Sequence, residues 1–411
     1  MTTPVWIAGV GMTPFGRHSG RSVSDLTRWA VTDALRDCGA TTGALDAAFF
    51  GTATQGALEG QHMIAGQIAL RATGVQGIPV VNVENACATG ASAFALAVNQ
   101  IRAGAAEVAL AVGVERMNVG DPERTMAVFD SAYDVSDPDA LTRTLLELGG
   151  AVDEPDLGRR SIFMDIYAAL ARNHMRLYGT TQEQLAAVAA KNHDHAAANP
   201  RAHYRRRMTV AEVLAARRLS YPLTVPMCAP VTDGAAAVVV CSEAGLRRLG
   251  DGARSARVEV LAAVMGTGTD RDPRGFEGHQ SRMVSARAYE QAGVGPDDVD
   301  VAEVHDATAF GEILQTELLG LVPPGEGGPA ALRGETSLGG RVPVNPSGGL
   351  ESKGHPIGAS GLGQIFELTE QLRGTAGPRQ VDGARIALAE NGGGFHRGEE
   401  AVTSVIILRG A

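Results

Sequence analysis

The sequence has few cysteines, few aromatic side chains and no long apolar run, and each shortage excludes a class of protein. Four cysteines in 411 residues are too few and too scattered for a disulfide-stapled fold, and no pair has the spacing of zinc ligands. Apolar stretches such as residues 235–241 fall short of the about 20 residues needed to cross a bilayer. The N-terminus lacks the basic start and apolar helix of a signal peptide, so we expect cytoplasmic residence and no membrane partner.

Positive charge is also scarce. The chain has 36 Lys and Arg against 46 Asp and Glu, which gives a net charge of −10. This balance argues against a general nucleic-acid binder, whose affinity depends on neutralising phosphates. Aromatic residues make up 4% of the chain, whereas its 52 glycines suit tight turns and closely packed helix–sheet layers. We therefore expect an α/β enzyme that acts on a small molecule.

The sequence does contain a second copy of its own pattern. Cys87-Ala-Thr-Gly-Ala-Ser and His355-Pro-Ile-Gly-Ala-Ser share a Gly-Ala-Ser core, and Cys87 and His355 each precede the glycine by three residues. Each motif opens a helix-like run that leads through a glycine into a strand-like segment. Shared spacing at this many points predicts a duplicated architecture whose halves pack about a pseudo-twofold axis.

The duplication divides the chain into two halves, 1–245 and 255–411. Each half reads strand, helix, strand, helix, strand, strand, which predicts a mixed sheet faced by helices. Residues 115–225 have no counterpart in the second half, and helical periodicity runs through 162–177 and 182–195. We expect a helical insert that lies over one face as a lid or substrate-binding loop domain.

Cys87 and His355 occupy equivalent positions at strand-to-helix turns. If the halves pack about an axis, the two turns face each other and join a nucleophile to a base. Free backbone N–H groups and the helix dipole at such a turn are expected to lower the thiol pKa. A thiolate beside an imidazole is a good nucleophile toward acyl groups. This pairing predicts a catalytic rather than a packing role for Cys87.

Other candidate site residues surround this pair in the sequence. His305 follows a strand-like run, and its counterpart in the first copy is Gly51, so the copies differ where one of them needs a functional group. Gly349 and Ser352 belong to a glycine-rich loop ahead of His355, which predicts close backbone approach to a substrate. The glycines of residues 391–394 form a second loop, whose N–H groups could complete an oxyanion hole with that of Cys87.

In this order the motifs resemble the thiolase superfamily along nearly the whole chain. The likeness is strongest to the sterol-carrier-protein-type thiolases and to acetyl-CoA acetyltransferase-like proteins. The motifs that carry it are residues 85–90, 305–310 and 349–361. The resemblance implies the thiolase fold, a five-layered α-β-α-β-α sandwich, and a homodimer or tetramer. It also implies ping-pong acyl transfer from coenzyme A thioesters, without a metal or another cofactor.

The resemblance also implies roles for individual residues. Cys87 would become acylated, and His355 would activate it and bind a thioester oxygen. His305 would help to build that oxyanion hole, directly or through water. Gly392 would donate its N–H to a second hole together with Cys87. Met164 of the insert is expected to line the acyl pocket.

One departure from the family pattern bears on the reaction. Thiolases that make or cleave a carbon–carbon bond use a second cysteine, either near the C-terminus or directly after the His-Asp pair. Here Ala307 occupies the second place, and Glu390-Asn391-Gly392 occupies the first. Glu390 is therefore a candidate replacement acid/base.

The sequence thus predicts an acyltransferase that transfers groups other than aminoacyl groups, in lipid or secondary metabolism. An acyl group would move from a coenzyme A or carrier-protein thioester through acyl-Cys87 to an acceptor other than a second acetyl-CoA. Three alternatives stay open. They are a thiolase in which Glu390 or water replaces the thiol, an acyl-CoA retro-aldolase that acts with a small OB-fold/zinc-ribbon partner, and a non-catalytic acyl-CoA-binding subunit.

Overall fold

The computed structural model describes residues 3–151 and 160–410. The strands are β1 (Trp6–Met12), β2 (Ala47–Gly51), β3 (Val80–Val83), β4 (Val108–Glu115), β5 (Arg218–Ser220), β6 (Leu223–Thr224), β7 (Gly234–Cys241), β8 (Val258–Gly266), β9 (Val301–Glu303), β10 (Ile386–Gly393) and β11 (Val402–Arg409). The helices are α1 (Val23–Asp37), α2 (Gln55–Glu59), α3 (Ala65–Arg71), α4 (Thr89–Arg102), α5 (Pro122–Ala127), α6 (Pro138–Gly149), α7 (Ile162–Tyr178), α8 (Gln182–Ala197), α9 (Val210–Ala215), α10 (Glu243–Leu249), α11 (Asp251–Ser255), α12 (Gln280–Ala292), α13 (Ala309–Leu318), α14 (Gly327–Leu332) and α15 (Ser360–Leu372).

The helices form where local sequence supports them. Helix α1 begins at Ser22, whose side chain accepts the Asp25 amide while the Asp25 carboxylate accepts the Ser22 amide. This reciprocal capping satisfies two N–H groups that have no partner within the helix. The apolar residues of α1 recur every three or four positions and bury one face of the helix against the sheet. None of the helices in the described ranges is both long and apolar enough to span a bilayer.

The sheet has the same strand order in both halves of the chain. Nine strands follow the order β3-β2-β4-β7-β1-β8-β11-β10-β9. Strands β1 and β8 lie side by side at the centre. From β1 outward the next strands are β7, β4 and β2, and from β8 outward the corresponding strands are β11, β10 and β9. A parallel bridge between Ala302 and Val344 takes the place that β3 occupies in the first half. Along the chain, the change from the first half of the sheet to the second lies between β7 and β8.

A matching pair of aspartates supports the duplication. Asp46, just before β2, accepts hydrogen bonds of 2.9 Å from two successive backbone amides at the start of β4. Asp300, just before β9, accepts bonds of 2.7 and 2.8 Å from two successive amides at the start of β10. The same side chain therefore braces the same pair of strands in each copy.

Side chains alternate across each half of the sheet and separate the layers. In β4, Ala109 and Ala111 face the central core, whereas Leu110 and Val112 face the core beneath α1 and α3. Strand β11 alternates in the same way between the central core and the core beneath α12. The helices and half-sheets thus form the five layers that the family resemblance implies: α1 and α3, one half-sheet, the α4–α15 pair, the other half-sheet, and α12.

The N-termini of α4 and α15 touch at positions where only glycine fits. A Cβ at Gly90 would lie 2.9 Å from the carbonyl oxygen of Gly358, and one at Gly361 would lie 2.6 Å from the Ala91 nitrogen. A Cβ at Gly113 of β4 would collide with the same Gly358 oxygen. These close approaches bring the two copies of the strand-to-helix turn together.

The segment between β4 and β7 is the helical insert that the sequence predicts. It contains α5 to α9 and the short β5–β6 pair, and α7 and α8 confirm the helices expected over 162–177 and 182–195. Residues 152–159 of the insert lie outside the described ranges. Helices α7 and α8 pack against α13 and α14 of the second half through a shared apolar core. The insert therefore covers the second half.

Replacing Gly113 with alanine tests the central contact. The added methyl group would collide with backbone that α15 holds in place, so we expect Gly113→Ala to lower the free energy of unfolding by at least about 2 kcal/mol. Gly16→Ala is the matched control, because a Cβ there has no neighbour within 4 Å. Urea unfolding of both variants measures the difference. Equal stabilities would contradict the close packing of the two turns.

Candidate active site

Cys87 and His355 meet at the N-termini of the two central helices. Cys87 lies in the short turn Ala86–Ala88 that leads into α4, and His355 lies in the turn before α15. The His355 Nε2 atom is 3.2 Å from the Cys87 sulfur. Ala86 has a φ of +46°, a strained value for a residue with a side chain, directly before the sulfur-bearing residue. The fold thus places side chains 268 residues apart in hydrogen-bonding contact.

The hydrogen bonds of His355 determine which of its nitrogens carries the proton. The Ser360 hydroxyl donates to the carbonyl oxygen of Pro356 at 2.9 Å, and the same hydroxyl oxygen is 2.7 Å from His355 Nδ1. Because its hydrogen is already engaged, Ser360 accepts from Nδ1–H. Nε2 is then unprotonated and faces the thiol as an acceptor. His355 can therefore take the Cys87 proton.

Burial keeps both partners neutral at rest. It raises the pKa of the Cys87 thiol to about 12, assisted by the negative charge of Glu115. Hydrogen bonds from the backbone amides of Cys87 and Gly394 lower that pKa, but burial outweighs them. The prediction that the helix N-terminus lowers the thiol pKa is therefore wrong in its net direction. Burial and then the neighbouring His305 hold the pKa of His355 well below its usual value.

His305 contributes a free ring N–H beside the Cys87–His355 pair. The Gly392 amide donates to His305 Nδ1 at 3.2 Å, so the ring proton lies on Nε2, which has no hydrogen-bond partner. Burial lowers the pKa of His305 to about 4, which keeps the ring neutral. Ligating atoms of His305, His355 and Cys87 lie within 4.8 Å of one another, as a metal site would require. With a proton on His305 Nε2, however, this nitrogen is a hydrogen-bond donor and offers no lone pair to a metal.

The structure corrects the expected role of Gly392. This residue lies in β10, and its N–H is taken up by His305, so it is not free to complete an oxyanion hole with Cys87. The amide that acts on the sulfur belongs to Gly394, just beyond the strand. Gly394 has a φ of +65°, which turns the backbone toward the site. The amide pair beside the sulfur is therefore that of Cys87 and Gly394.

Cys87 lies where two cavities meet. One, of about 280 Å³, lies beneath the insert, and its walls are mainly apolar. Met164, which the sequence analysis expects at an acyl pocket, lines this cavity. Ala307 also lines it, at one of the two places where the family resemblance implies a second cysteine. The other is an open groove of about 770 Å³ whose wall includes Glu84 and Asp134.

Gly349 and Ser352 do not lie where the sequence predicts. Both belong to the buried turn Gly349–Lys353 and line neither cavity at Cys87. A Cβ at Gly349 would collide with the Asp306 carboxylate, which accepts the Leu350 amide at 2.7 Å. The close backbone approach that Gly349 permits is therefore to Asp306 and not to a substrate. This contact holds the segment that carries His355.

Glu390 lies behind His305 and not at a cavity wall. Its Oε2 accepts the His305 amide at 3.0 Å, and its Oε1 has no hydrogen-bond partner. Burial, followed by the charge of Glu400, raises its pKa well above the usual value. This location does not support the predicted role of Glu390 as an acid/base at substrate.

Two residues that the sequence analysis missed line the apolar cavity together with Cys87. Tyr167 comes from α7, and Cys228 precedes β7. The Cys228 thiol donates to the Thr224 carbonyl at 3.5 Å. The sequence gives little sign of either residue, because helical periodicity alone assigns Tyr167 to the core and a lone cysteine is usually a packing residue.

A buried polar cluster supports the two histidines from beneath. The Asn192 amide donates to carboxylates of Asp306, Glu312 and Glu351 at 3.1, 2.9 and 2.9 Å. Lys191 forms a buried ion pair with Glu312. Burial raises the pKa of Asp306 and of Glu351 well above the usual values. Helix α8 of the insert is thereby tied to the segments that carry His305 and His355.

Comparison with known families agrees with this geometry. The family described as "Thiolase, N-terminal domain" matches residues 5–213, and "Thiolase C-terminal domain-like" matches residues 274–407. The chain belongs to the thiolase family. The N-terminal match lies within the first duplicated half of the chain, and the C-terminal match lies within the second half.

Curated relatives of this thiolase-family chain extend over most of its length. It is 36% identical to human "Sterol carrier protein 2" over 94% of this chain and 69% of the relative. It is 37% identical to "Acetyl-CoA acetyltransferase" of Methanothermobacter thermautotrophicus over 95% of this chain and 96% of the relative. "Benzoylsuccinyl-CoA thiolase subunit BbsB" of Thauera aromatica is 34% identical over 95% and 94%. These relatives support acyltransferase chemistry in general.

Solved structures confirm the thiolase fold. "Ltp2-ChsH2(DUF35) aldolase" superposes with a TM-score of 0.77 at 24% identity and covers 98% of both chains. Human mitochondrial 3-ketoacyl-CoA thiolase superposes with a TM-score of 0.71 at 17% identity, over 100% of this chain and 99% of the other. At these identities the likeness concerns the fold alone.

The protonation state of Cys87 can be measured directly. Because burial raises its pKa to about 12, we expect no thiolate absorbance from Cys87 in the ultraviolet near neutral pH. The measurement is the difference spectrum between the unmodified protein and Cys87→Ser as the pH is raised from neutrality. A thiolate signal already present near neutral pH would contradict the neutral thiol–imidazole pair.

Proposed function

We propose that this protein is an acyltransferase in which Cys87 carries the acyl group. The observation that supports this most strongly is the 3.2 Å contact between the Cys87 sulfur and the unprotonated Nε2 of His355. A half-buried thiol at this distance from a proton acceptor becomes a nucleophile when a thioester carbonyl arrives. The donor would be a thioester of coenzyme A or of a carrier protein, and no further cofactor is needed.

The first half-reaction follows from the hydrogen bonds of the site. His355 takes the thiol proton as the sulfur attacks the thioester carbon. Negative charge on the carbonyl oxygen would be stabilised by His305 Nε2–H or by the amide pair of Cys87 and Gly394. The donor thiolate then leaves with the proton from His355. The products are acyl-Cys87, a free thiol and a neutral imidazole.

The two cavities support separate routes for the acyl group and the acceptor. The apolar cavity beneath the insert fits an acyl group, and Met164 contributes to its wall. The open groove reaches Cys87 from another side and would admit the acceptor. A ping-pong enzyme needs both partners to reach one sulfur in turn, and two openings meet that requirement.

A second candidate is carbon–carbon bond chemistry of the thiolase type. The relatives named "Acetyl-CoA acetyltransferase" and "Benzoylsuccinyl-CoA thiolase subunit BbsB" favour it. It requires an acid/base other than the absent second cysteine, and Glu390 lies behind His305 and away from the substrate cavities. An aldolase with a small partner, suggested by the fold of "Ltp2-ChsH2(DUF35) aldolase", would not require the Cys87–His355 pair. A binding-only subunit would likewise not require it.

We also propose that the protein forms a homodimer through the edge at β3. Val81 on this edge strand is 45% exposed, and Met63 and Ile64 nearby are 77% and 59% exposed. An open strand edge beside exposed apolar side chains favours pairing with a second copy. Isologous association of this kind is the commonest symmetry among soluble oligomers.

Acylation of Cys87 tests the proposed function. Incubation with acetyl-CoA should add the mass of one acetyl group to the intact protein and none to Cys87→Ala. We expect His355→Asn to slow the labelling by about 10²–10⁴-fold, because it removes the proton acceptor. His62→Asn is the control, since His62 is exposed and lines neither cavity at Cys87. Equal labelling of Cys87→Ala would show that Cys87 is not the nucleophile.

A further inference from the structure

The active site holds separate hydrogen-bond donors for two carbonyl oxygens, but the described residues around it supply no base suited to a carbon acid. We propose that the acceptor is a β-carboxylated thioester of the malonyl type, which becomes a carbon nucleophile when it loses carbon dioxide. The inference rests on the proposed function, because this acceptor must meet acyl-Cys87. Loss of carbon dioxide replaces the proton removal for which the family pattern implies a second cysteine.

Two sets of donors face the reacting atoms. The backbone amides of Cys87 and Gly394 lie beside the sulfur, where they suit the carbonyl oxygen of an acyl group on Cys87. His305 Nε2–H is a separate donor that is buried and has no hydrogen-bond partner. Acyl-Cys87 occupies the first set, so the second set is available to an oxygen of the acceptor. A donor there stabilises an oxygen that gains charge, as that of a thioester enolate does.

The second donor lies close to the acyl carbon. One ligating atom from each of Cys87, His305 and His355 lies within 4.8 Å of the other two. The rings of the two histidines have their centroids 5.4 Å apart. A thioester whose oxygen accepts from His305 Nε2–H therefore has its α-carbon next to the acyl group on the sulfur. The open groove, which also reaches Cys87, admits this acceptor from outside.

The apolar cavity provides no carboxylate that could remove a proton from the α-carbon. No aspartate or glutamate lines the described part of its wall. Besides Cys87, His305 and His355, the ionisable side chains there are two tyrosines, one cysteine and two arginines. Burial raises the pKa of Tyr167 and of Cys228 well above their usual values. A phenol or a thiol with such a pKa carries its proton near neutral pH and is not a base.

The carboxylates of the groove face solvent. Glu84 and Asp134 line this groove, and both are exposed. Glu84 accepts the Ala86 amide at 2.6 Å. Asp134 accepts the amide and the hydroxyl of Ser136 at 2.9 and 2.6 Å. Hydration and these hydrogen bonds favour the charged form of each carboxylate, so both are weak bases.

The histidines are also poorly suited to remove a proton from carbon. His305 already carries a proton on Nε2, and its Nδ1 accepts the Gly392 amide at 3.2 Å. His355 Nε2 has a lone pair, but burial and then His305 hold the pKa of His355 well below its usual value. The α-carbon of a thioester is a much weaker acid than a thiol. An imidazole that can accept the Cys87 proton is therefore a poor base for that carbon.

The surroundings of the sulfur favour loss of a carboxylate. Phe129 and Phe163 each line both the apolar cavity and the groove, and their rings pack edge to face with centroids 6.3 Å apart. A carboxylate that moves from water to a place beside these rings loses hydration, whereas carbon dioxide carries no charge. Transfer from solvent to the site thus favours cleavage of the bond between the α-carbon and the carboxylate.

The reaction balances with one proton from solvent. The bond between the α-carbon and the carboxylate breaks, carbon dioxide leaves, and the electron pair forms an enolate whose oxygen accepts from His305 Nε2–H. The enolate carbon attacks the carbonyl carbon of acyl-Cys87, and the carbon–sulfur bond breaks to give a thiolate. A solvent proton that passes through His355 restores the thiol. The products are a β-ketoacyl thioester, carbon dioxide and the free enzyme.

Discharge of acetyl-Cys87 by malonyl-CoA tests the proposal. Protein acetylated by acetyl-CoA, separated from the excess and verified by intact mass, is mixed with malonyl-CoA that carries carbon-13 in its free carboxyl group. We expect each acetyl group lost from the protein to yield one labelled carbon dioxide and one acetoacetyl-CoA. Cys87→Ala should form no acetoacetyl-CoA. His62→Asn is the control and should react at the unmodified rate.

Substitution of His305 distinguishes a hydrogen-bonding role from a structural one. We expect His305→Leu, acetylated before mixing, to release carbon dioxide about 10²–10³-fold more slowly, because the enolate oxygen loses its donor. His305→Asn restores an N–H donor and should recover part of the rate. Both variants enter the measurement already acetylated, so the rate of acetylation does not affect the comparison.

Thiolysis of acetoacetyl-CoA by coenzyme A gives a second readout in the unmodified enzyme. This reaction requires an acid that returns a proton to the α-carbon, and the site has none suited to it. We expect thiolysis to be at least about 100-fold slower than the reaction with malonyl-CoA. Comparable rates would overturn the proposal, because they would reveal a working acid/base at the α-carbon.

Two further results would also overturn the proposal. One is discharge of acetyl-Cys87 by ethanolamine while malonyl-CoA leaves the acetyl group in place, which would assign the site to a different class of acceptor. The other is equal release of carbon dioxide by His305→Leu and by the unmodified enzyme. Failure of the unmodified enzyme to become acetylated at Cys87 would instead contradict the proposed function itself.

Discussion

Contact between two helix N-termini is the constraint on which the active site depends. Gly90 of α4 approaches the carbonyl oxygen of Gly358, and Gly361 of α15 approaches the backbone of Ala91, at distances that exclude any side chain. Because Cys87 and His355 stand three residues before these meeting points, the contact carries sulfur and imidazole together. The duplication thus creates the site, since each copy brings one chemical group and the interface between copies joins them.

Burial then determines the protonation states of the three side chains at the site before a substrate binds. A thiol and two imidazoles in an apolar setting are all neutral, because the charged form of each would lose hydration. The ionisable groups that the site needs for support lie one layer deeper, in the cluster around Asn192 and Asp306. The nucleophile therefore forms only when a proton crosses from sulfur to nitrogen, and a carbonyl must be present to accept the sulfur's electrons.

Much of this arrangement could be predicted from the sequence, because an internal repeat indicates which distant segments occupy equivalent positions in the fold. The matching turns at Cys87 and His355 predict both the duplicated sheet and the meeting of the two side chains. Positions that depend on strand register were less accessible. The sequence does not show that β10 continues through Gly393, yet this continuation assigns the Gly392 amide to His305 and leaves Gly394 facing the sulfur.

Other features depend on burial or on contacts between distant elements. The helix-end argument predicts a lowered pKa for Cys87, but the sequence does not reveal that burial outweighs the backbone hydrogen bonds at the sulfur. Gly349 correctly indicates close backbone packing, although its neighbour is Asp306 instead of a ligand.

Cross-linking with 1,3-dibromoacetone, a short reagent that joins a thiol to a nearby imidazole, tests the central contact most directly. Cys87 should be alkylated first, and the second arm should then attach to the unprotonated Nε2 of His355. Mass analysis of the digested protein should therefore find one peptide pair that joins Cys87 to His355. A cross-link from Cys87 to a residue outside the site, or single alkylation with no link to an imidazole, would contradict the account.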